Sequence, residues 1–255
     1  MSVWKQFWAR RAKISRGIYA TYIRPTGAAY DADTWWDGSF YTSGVSDRKT
    51  IYAEQDQRST LYHYSSVENL ILRHLCRRRF EVEGRQVLDI GSGAGHWIDF
   101  YRELGAQRVV GIDVSKSSVD HLREKFRDTD AVEVHQGTAQ RALESVQGDF
   151  ALVNAIGVMF HIVDDQAWRE TLRVLGERLE PSGLLVVGGH FGWVDGVNVQ
   201  IDAQGQVNKR LRSRGRWKRA LRELGFGRIR FYTNRAYLRI PQILPENSLL
   251  VAQRD

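Results

Sequence analysis

Val87-Leu88-Asp89-Ile90-Gly91-Ser92-Gly93-Ala94-Gly95-His96-Trp97 is the stretch that decides the fold. Gln86 to Ile90 reads as a short buried strand, β-branched at Val87 and Ile90. Gly91, Gly93 and Gly95 then follow at alternate positions. Glycines after a strand let backbone N–H groups approach a ligand with no Cβ in the way, and the next helix starts pointing at that ligand. The spacing is G-x-G-x-G, whereas dinucleotide sites use G-x-G-x-x-G. A dehydrogenase reading loses ground on that difference.

Outward from this turn, strand and helix patterns alternate. Strands are expected at Gln86–Ile90, Arg108–Asp113, Ala131–His135, Phe150–Asn154, Leu184–Gly188, Arg228–Tyr232 and Ser248–Ala252. Helices are expected at His96–Leu104, Lys116–Phe126, Ala139–Leu143, Asp165–Leu179 and Trp217–Leu224. Such alternation predicts a seven-stranded, mostly parallel sheet with helices on both faces, and ligands bind beyond the carboxyl ends of its strands. Residues 191 to 213 interrupt the rhythm. Val194 to Ile201 alternates and Gln204-Gly205-Gln206 turns, which predicts an inserted hairpin.

Before the turn lie residues of different character. Trp4, Phe7, Trp8, Ile14, Ile18 and Tyr22 predict a helix over residues 4 to 23, with basic residues around the rest of it. It either caps the domain or a partner, or lies on a membrane surface, so peripheral membrane contact through residues 1–23 stays open. Residues 24 to 60 show no period and mix aspartates with Tyr30, Trp35, Trp36, Phe40 and Tyr41. Residues 61 to 80 return to helical spacing. The expected organisation is an aromatic cap over 1–60 and a main domain over 61–255 with the hairpin insert at about 191–213.

Composition bounds the rest. The 255 residues are 42% hydrophobic and 26% charged, enough to bury a core. One cysteine, Cys76, excludes an intramolecular disulfide and a thiolate metal cluster and suits a reducing cytoplasm. No run of about 18 apolar residues predicts a transmembrane helix, and no secretory signal is expected. The net charge of +7 admits an anionic partner or a merely solvated basic surface.

Asp113 ends the second strand in Val109-Val110-Gly111-Ile112-Asp113, where a carboxylate can accept both hydroxyls of a ribose. Gly137-Thr138-Ala139-Gln140 follows the third strand and Asn154-Ala155-Ile156-Gly157 the fourth. With Val87–Gly95 and Pro181-Ser182-Gly183-Leu184-Leu185, these resemble the successive motifs of class I S-adenosylmethionine-dependent methyltransferases, over residues 60 to 255. Val158-Met159-Phe160-His161-Ile162-Val163-Asp164-Asp165 resembles the small-molecule branch of that family. The resemblance implies an α/β Rossmann-like sheet, S-adenosyl-L-methionine as cofactor and an N-terminal helical or irregular cap. It implies that Asp89, Gly91, Ser92, Gly93 and Gly95 cradle the methionine part. Asp113 and Val114 would then meet the ribose, Thr138 and Ala139 the adenine, and Asn154 and Ala155 the amino group. Tyr64 would close over the cofactor carboxylate. The chain departs from the family in placing Gly137-Thr138 where an acid often precedes the adenine.

A sulfonium methyl is already activated, so the protein mainly aligns the acceptor, and a hydroxyl acceptor also needs a base. His161, after the fourth strand, and His190, after the fifth, are the candidates. Trp35, Trp36, Tyr41, His63 and Arg210 are expected to line the acceptor site. A Mg²⁺ ion on Asp164 and Asp165 is an alternative device, although Asp165 also reads as a helix N-cap. The leading expectation is O-methylation of a small-molecule hydroxyl such as a sugar or glycoconjugate. The rivals are a nucleic-acid ribose methyltransferase, drawn from the basic charge, and a non-catalytic Rossmann-like binding protein. Asn154-Ala155-Ile156-Gly157 lacks the prolines and the aromatic of base N-methylating relatives, so nucleic acid is not the favoured partner. Oligomeric state is left open, a homodimer included.

Overall fold

The computed structural model describes residues 30–51, 56–192, 195–200, 207–233 and 247–255. The helix expected over 4 to 23, with its membrane option, lies outside the described residues. Among them, no helix is long and apolar enough to cross a membrane.

Helix α1 (Ala32–Trp35) runs into one π-helical turn, Trp36–Phe40, and α2 (Asp47–Ile51) follows. Residues 24 to 60 were expected to be irregular, and local propensity gives no sign of these short helices. Helix α3 (Gln57–Arg78) starts inside the residues assigned to the cap. Asp56 caps it by accepting from Ser59 N–H at 2.9 Å, and Arg79 closes it in the left-handed region. The main run continues as β1 (Gln86–Ile90), α4 (His96–Glu103), β2 (Arg108–Asp113), α5 (Lys116–Lys125), β3 (Val132–Gln136) and α6 (Ala139–Ala142). After these come β4 (Phe150–Ile156), α7 (Asp165–Glu177), β5 (Leu179–His190), β6 (Val197–Gln200) and β7 (Val207–Leu211). The described chain ends with α8 (Arg214–Glu223), β8 (Phe226–Thr233) and β9 (Asn247–Arg254).

Seven strands form one open sheet in the order β3-β2-β1-β4-β5-β9-β8. The pairings of β9 with β5 and β8 are antiparallel and the other four are parallel, so the mostly parallel expectation holds. The fifth strand is longer than its apolar run. It takes in Pro181-Ser182-Gly183 through a register irregularity opposite Phe150 and Leu152. Side chains alternate across the pleat. Leu88, Ile90, Val110 and Ile112 therefore belong to the cluster on one face, with Trp168, Leu172 and Leu175 of α7 and Trp217 and Leu221 of α8. Val87 and Val109 belong to the cluster on the other, with Ile71 and Leu75 of α3, Trp97, Ile98 and Tyr101 of α4, and Leu122 of α5. Burial on both faces is why these strands read as nearly continuous apolar runs.

The inserted hairpin is present as the antiparallel pair β6–β7. Arg210 N–H donates to Phe160 O at 2.8 Å and Gly192 N–H to Arg212 O at 2.9 Å. These bonds set the hairpin on the loop that follows β4, at the carboxyl edge of the sheet.

Candidate active site

The site is built at the ends of β1, β2, β4 and β5. Leaving β1, Gly91, Gly93 and Gly95 take φ of 69°, 54° and 85°, which other residues rarely adopt. The turn is stitched to β2: Gly91 N–H donates to Ile112 O at 2.7 Å and Gly93 N–H to Asp113 Oδ2 at 2.8 Å. Asp113 Oδ1 accepts from Ser115 N–H at 2.9 Å. Each carboxylate oxygen retains a second lone pair for a hydroxyl donor. Burial outweighs these hydrogen bonds and pushes the Asp113 carboxyl up to about 6.

Beneath the turn lies a buried polar relay. Tyr101 Oη donates to Asn154 Oδ1 at 3.1 Å, and Asn154 Nδ2 donates to Asp89 Oδ1 at 2.7 Å. Asp89 is fully buried, and its Oδ2 has no hydrogen-bond partner among the described residues. Burial pushes this carboxyl up to about 6 as well. A buried acceptor without a donor is costly, by roughly 1–3 kcal/mol, and marks a place where a donor belongs.

The cap covers the turn directly. A Cβ on Gly93 would stand 2.6 Å from Thr50 Cγ2, so the cap packs where only glycine fits. Thr50 Oγ1 is 2.9 Å from Tyr64 Oη, and the Tyr64 ring stacks on His96 at 3.4 Å between centroids. Asp37 reaches the start of α5, where it accepts from Ser115 Oγ at 2.6 Å and from Lys116 N–H and Ser117 N–H at 3.0 Å. A carboxylate on exposed helix N–H groups is favourable electrostatically. Sequence reasoning passed over Thr50 and Asp37. Their neighbours are distant in the chain, and no periodicity marks them.

The acceptor side forms around the loop after β4. His161 Nδ1 lies 2.8 Å from Asn208 O. A carbonyl only accepts, so Nδ1 carries the hydrogen and Nε2 keeps its lone pair. Burial, and then the charge of Lys209, push the imidazole down to about 3, so it is neutral at neutral pH. Trp36 packs edge-on at 5.0 Å between ring centroids, and Phe160 lies against both His161 at 4.5 Å and His190 at 4.8 Å. His161, His190 and Trp36 are thus brought to one place. Trp35 backs Trp36 at 4.7 Å and Tyr30 at 5.8 Å.

The remaining expected residues make contacts of their own. Tyr41 is buried, stacks on Trp36 at 5.9 Å between ring centroids, and holds its hydroxyl 3.8 Å from the position of a Cβ on Gly93. His63 packs edge-on to Tyr64 at 5.7 Å, and burial and His96 push it down to about 4. Arg210 is committed within the hairpin and to α7, donating to Asp165 at 2.9 and 2.8 Å, Asn198 Oδ1 at 2.8 Å and Gly196 O at 3.1 Å. Ser92 Oγ donates to Asp89 O within the turn, at 3.1 Å. Val114 directly follows β2, and Thr138 is the N-cap of α6, beside buried Ala139. Ala155 is buried in β4 next to Asn154.

The N-cap of α7 is Asp164, whose Oδ1 accepts from Ala167 N–H at 2.7 Å, and not Asp165. Asp165 instead meets the guanidinium groups of Arg210 (2.8 Å), Arg212 (2.9 Å) and Arg216 (3.0 Å). Its burial is outweighed by these partners, which hold it down at about 2. Three guanidinium groups around one carboxylate repel a divalent cation, so the Mg²⁺ alternative on Asp164 and Asp165 is not supported.

Residues 87–183 match the profile of the family described as Methyltransferase domain. Over 120 residues the chain is 32% identical to ribosomal protein L11 methyltransferase of Symbiobacterium thermophilum, covering 45% of this chain and 36% of that one. It therefore spans little more than a third of that relative's length. Among solved structures, it is similar to 1,6-didemethyltoxoflavin-N1-methyltransferase of Burkholderia thailandensis, with a TM-score of 0.63 at 15% identity, covering 90% of this chain and 93% of the other. It is also similar to magnesium protoporphyrin IX methyltransferase of Synechocystis, solved with bound S-adenosylmethionine. There the TM-score is 0.62 at 14% identity, covering 90% of this chain and all of the other. With the G-x-G-x-G turn, the Asp113 stitch and this sheet order, the chain carries a methyltransferase domain in the class I S-adenosylmethionine-dependent fold.

Proposed function

We propose that the chain transfers the methyl group of S-adenosylmethionine to a hydroxyl of a small-molecule acceptor. A sugar or glycoconjugate hydroxyl is the acceptor suggested by the aromatic and acidic make-up of the cap. The residues present fit the cofactor. Asp89 Oδ2, buried and without a donor, suits an ammonium group, and the spare lone pairs of Asp113 suit ribose hydroxyls. Tyr64, Tyr41 and Thr50 close the glycine turn from above. Thr138 and Ala139 begin the helix beyond β3, on the adenine side, and Val114 follows Asp113. The bound cofactor supplies an activated sulfonium methyl.

The observation that carries the reading is the His161 imidazole. Its Nδ1–H is spent on Asn208 O, and its neutral Nε2 is left to accept the proton of a hydroxyl. His190 packs on the same Phe160 ring and is the second candidate. The acceptors named for the relatives above are a ribosomal protein, a toxoflavin precursor and a porphyrin, so kinship alone does not select one. The nucleic-acid alternative loses some support because three basic residues, Arg210, Arg212 and Arg216, are paired internally with Asp165, and Arg216 also with Asp195. Calorimetry with S-adenosylmethionine tests the cofactor, with micromolar binding expected; its absence sinks the proposal. A screen of hydroxyl acceptors with methyl-labelled cofactor, with and without EDTA, tests the reaction.

A further inference from the structure

We propose that Lys209 anchors an anionic group, a carboxylate or a phosphate, on the methyl acceptor. This deepens the methyltransferase reading and rests on it. Lys209 lies on β7, on the strand that carries the carbonyl orienting His161. Its ammonium stands 5.6 Å from the centre of the Phe160 ring, the ring that His161 and His190 both pack against. Gly189 makes this arrangement available, because a Cβ there would stand 2.4 Å from Phe160 Cε1.

Several of the other sheltered cations have anions of their own. Lys125 meets Asp99 at 2.7 Å, and Arg210, Arg212 and Arg216 share Asp165. Lys209 does not follow that pattern. Burial is the single influence lowering its pKa, with no carboxylate among the described residues to offset it. Lys209 is half-buried, and an ammonium partly withdrawn from water loses hydration that a π-face offsets only in part. A ligand anion completes the balance.

The placement also ties recognition to proton acceptance. The Lys209 charge is the second influence, after burial, that depresses His161. An anion on Lys209 neutralises it and returns basicity to the imidazole that receives the acceptor proton. An acceptor carrying the anion thereby gains a better base than a neutral analogue does.

The test uses benzoate and inorganic phosphate as anionic probes and benzamide as the neutral control. Each is titrated calorimetrically into the full chain, with and without S-adenosylhomocysteine, in the wild type, Lys209→Met and Lys209→Arg. Methionine keeps the length and apolar stem, and thermal unfolding of each variant is measured alongside. At least one anion is expected to bind the wild type saturably, about tenfold or more weakly in Lys209→Met, and to be retained in Lys209→Arg. The bound anion is also expected to raise the His161 titration followed by NMR. Equal anion affinity in wild type and Lys209→Met, benzamide binding as well as benzoate, or no saturable anion binding overturns the proposal. Failure to bind S-adenosylhomocysteine, by contrast, counts against the cofactor assignment and is read independently of the anion titrations.

Discussion

Asp37 accepts a hydrogen bond from Ser115 Oγ at 2.6 Å, joining the cap to the first turn of α5 just beyond Asp113. The same carboxylate takes the N–H groups of Lys116 and Ser117, so the cap itself supplies part of the N-terminal capping of a helix in the main sheet. Closing the cap over the glycine turn and satisfying that helix end are one event. Asp37→Ala is expected to cost about 1 kcal/mol of cap closure. It should lower amide protection across residues 30–51 and weaken S-adenosylhomocysteine binding severalfold. Unchanged exchange in that segment would show that the contact does not hold the cap. Burial of Asp37 is outweighed by its hydrogen bonds, which hold its carboxyl below the ordinary value. The contribution is therefore complete above the ordinary carboxylate range and is lost as pH falls through the lower, folded value.

Asp89 and Asp113 behave in the opposite sense. Both are pushed up to about 6 by burial, so between the ordinary carboxylate pKa and about 6 the folded state holds protons that the unfolded chain releases. The free protein should lose stability as pH rises through that window. A ligand ammonium by Asp89 favours the ionised form, so S-adenosylmethionine affinity should rise from pH 5 to about 6 and level off above it. Calorimetry in buffers of different ionisation enthalpy should register proton release. A flat affinity with no proton release would remove Asp89 from the binding account.

Asp113→Asn retains the shape of the side chain but loses one acceptor and the charge. Cofactor affinity is expected to fall about tenfold or more, with the circular dichroism of the fold retained. Normal binding would show that the ribose assignment is wrong.

His161→Gln is expected to lower turnover about a hundredfold while leaving S-adenosylhomocysteine affinity within about twofold. Because His161 is held at about 3, its own titration should leave no acid limb between pH 5 and 8 before an anionic acceptor binds. Equal turnover in His161→Gln and His190→Ala relative to the wild type would remove histidine base catalysis.

Asp165→Asn releases three guanidinium groups from one carboxylate, and one of them, Arg212, is 1% exposed and lies 4.6 Å over Trp168. Stability should fall by about 3 kcal/mol, read as a lower urea midpoint with unchanged slope. An unchanged midpoint would mean that the hairpin is held without this cluster. EDTA should leave activity unaltered; EDTA-dependent loss would reopen the metal alternative.

Much of the fold was legible because its signals are local. The strand before Gly91 and the alternating units that follow it carry their own period, and Asp113 ends its strand where a ribose acid belongs. His161 and His190 were legible as strand-end residues. The adjacency of Trp36 to His161 was not, since it depends on a cap with no repeat. Asp165 was misread as a cap because its arginines lie far along the chain, on the hairpin, just after it and on α8.

By itself, then, the sequence determined the glycine turn, the alternation of strands and helices around it and the identity of the groups at the strand ends, through pleat alternation and backbone sterics. Only the tertiary structure decided that Asp37 caps α5 and that, among the described residues, Asp89 Oδ2 is left without a donor and Lys209 rather than Arg210 lacks a counter-charge. Each of these depends on which distant groups exclude water from one another, and burial of that kind is a property of packing that no local pattern encodes.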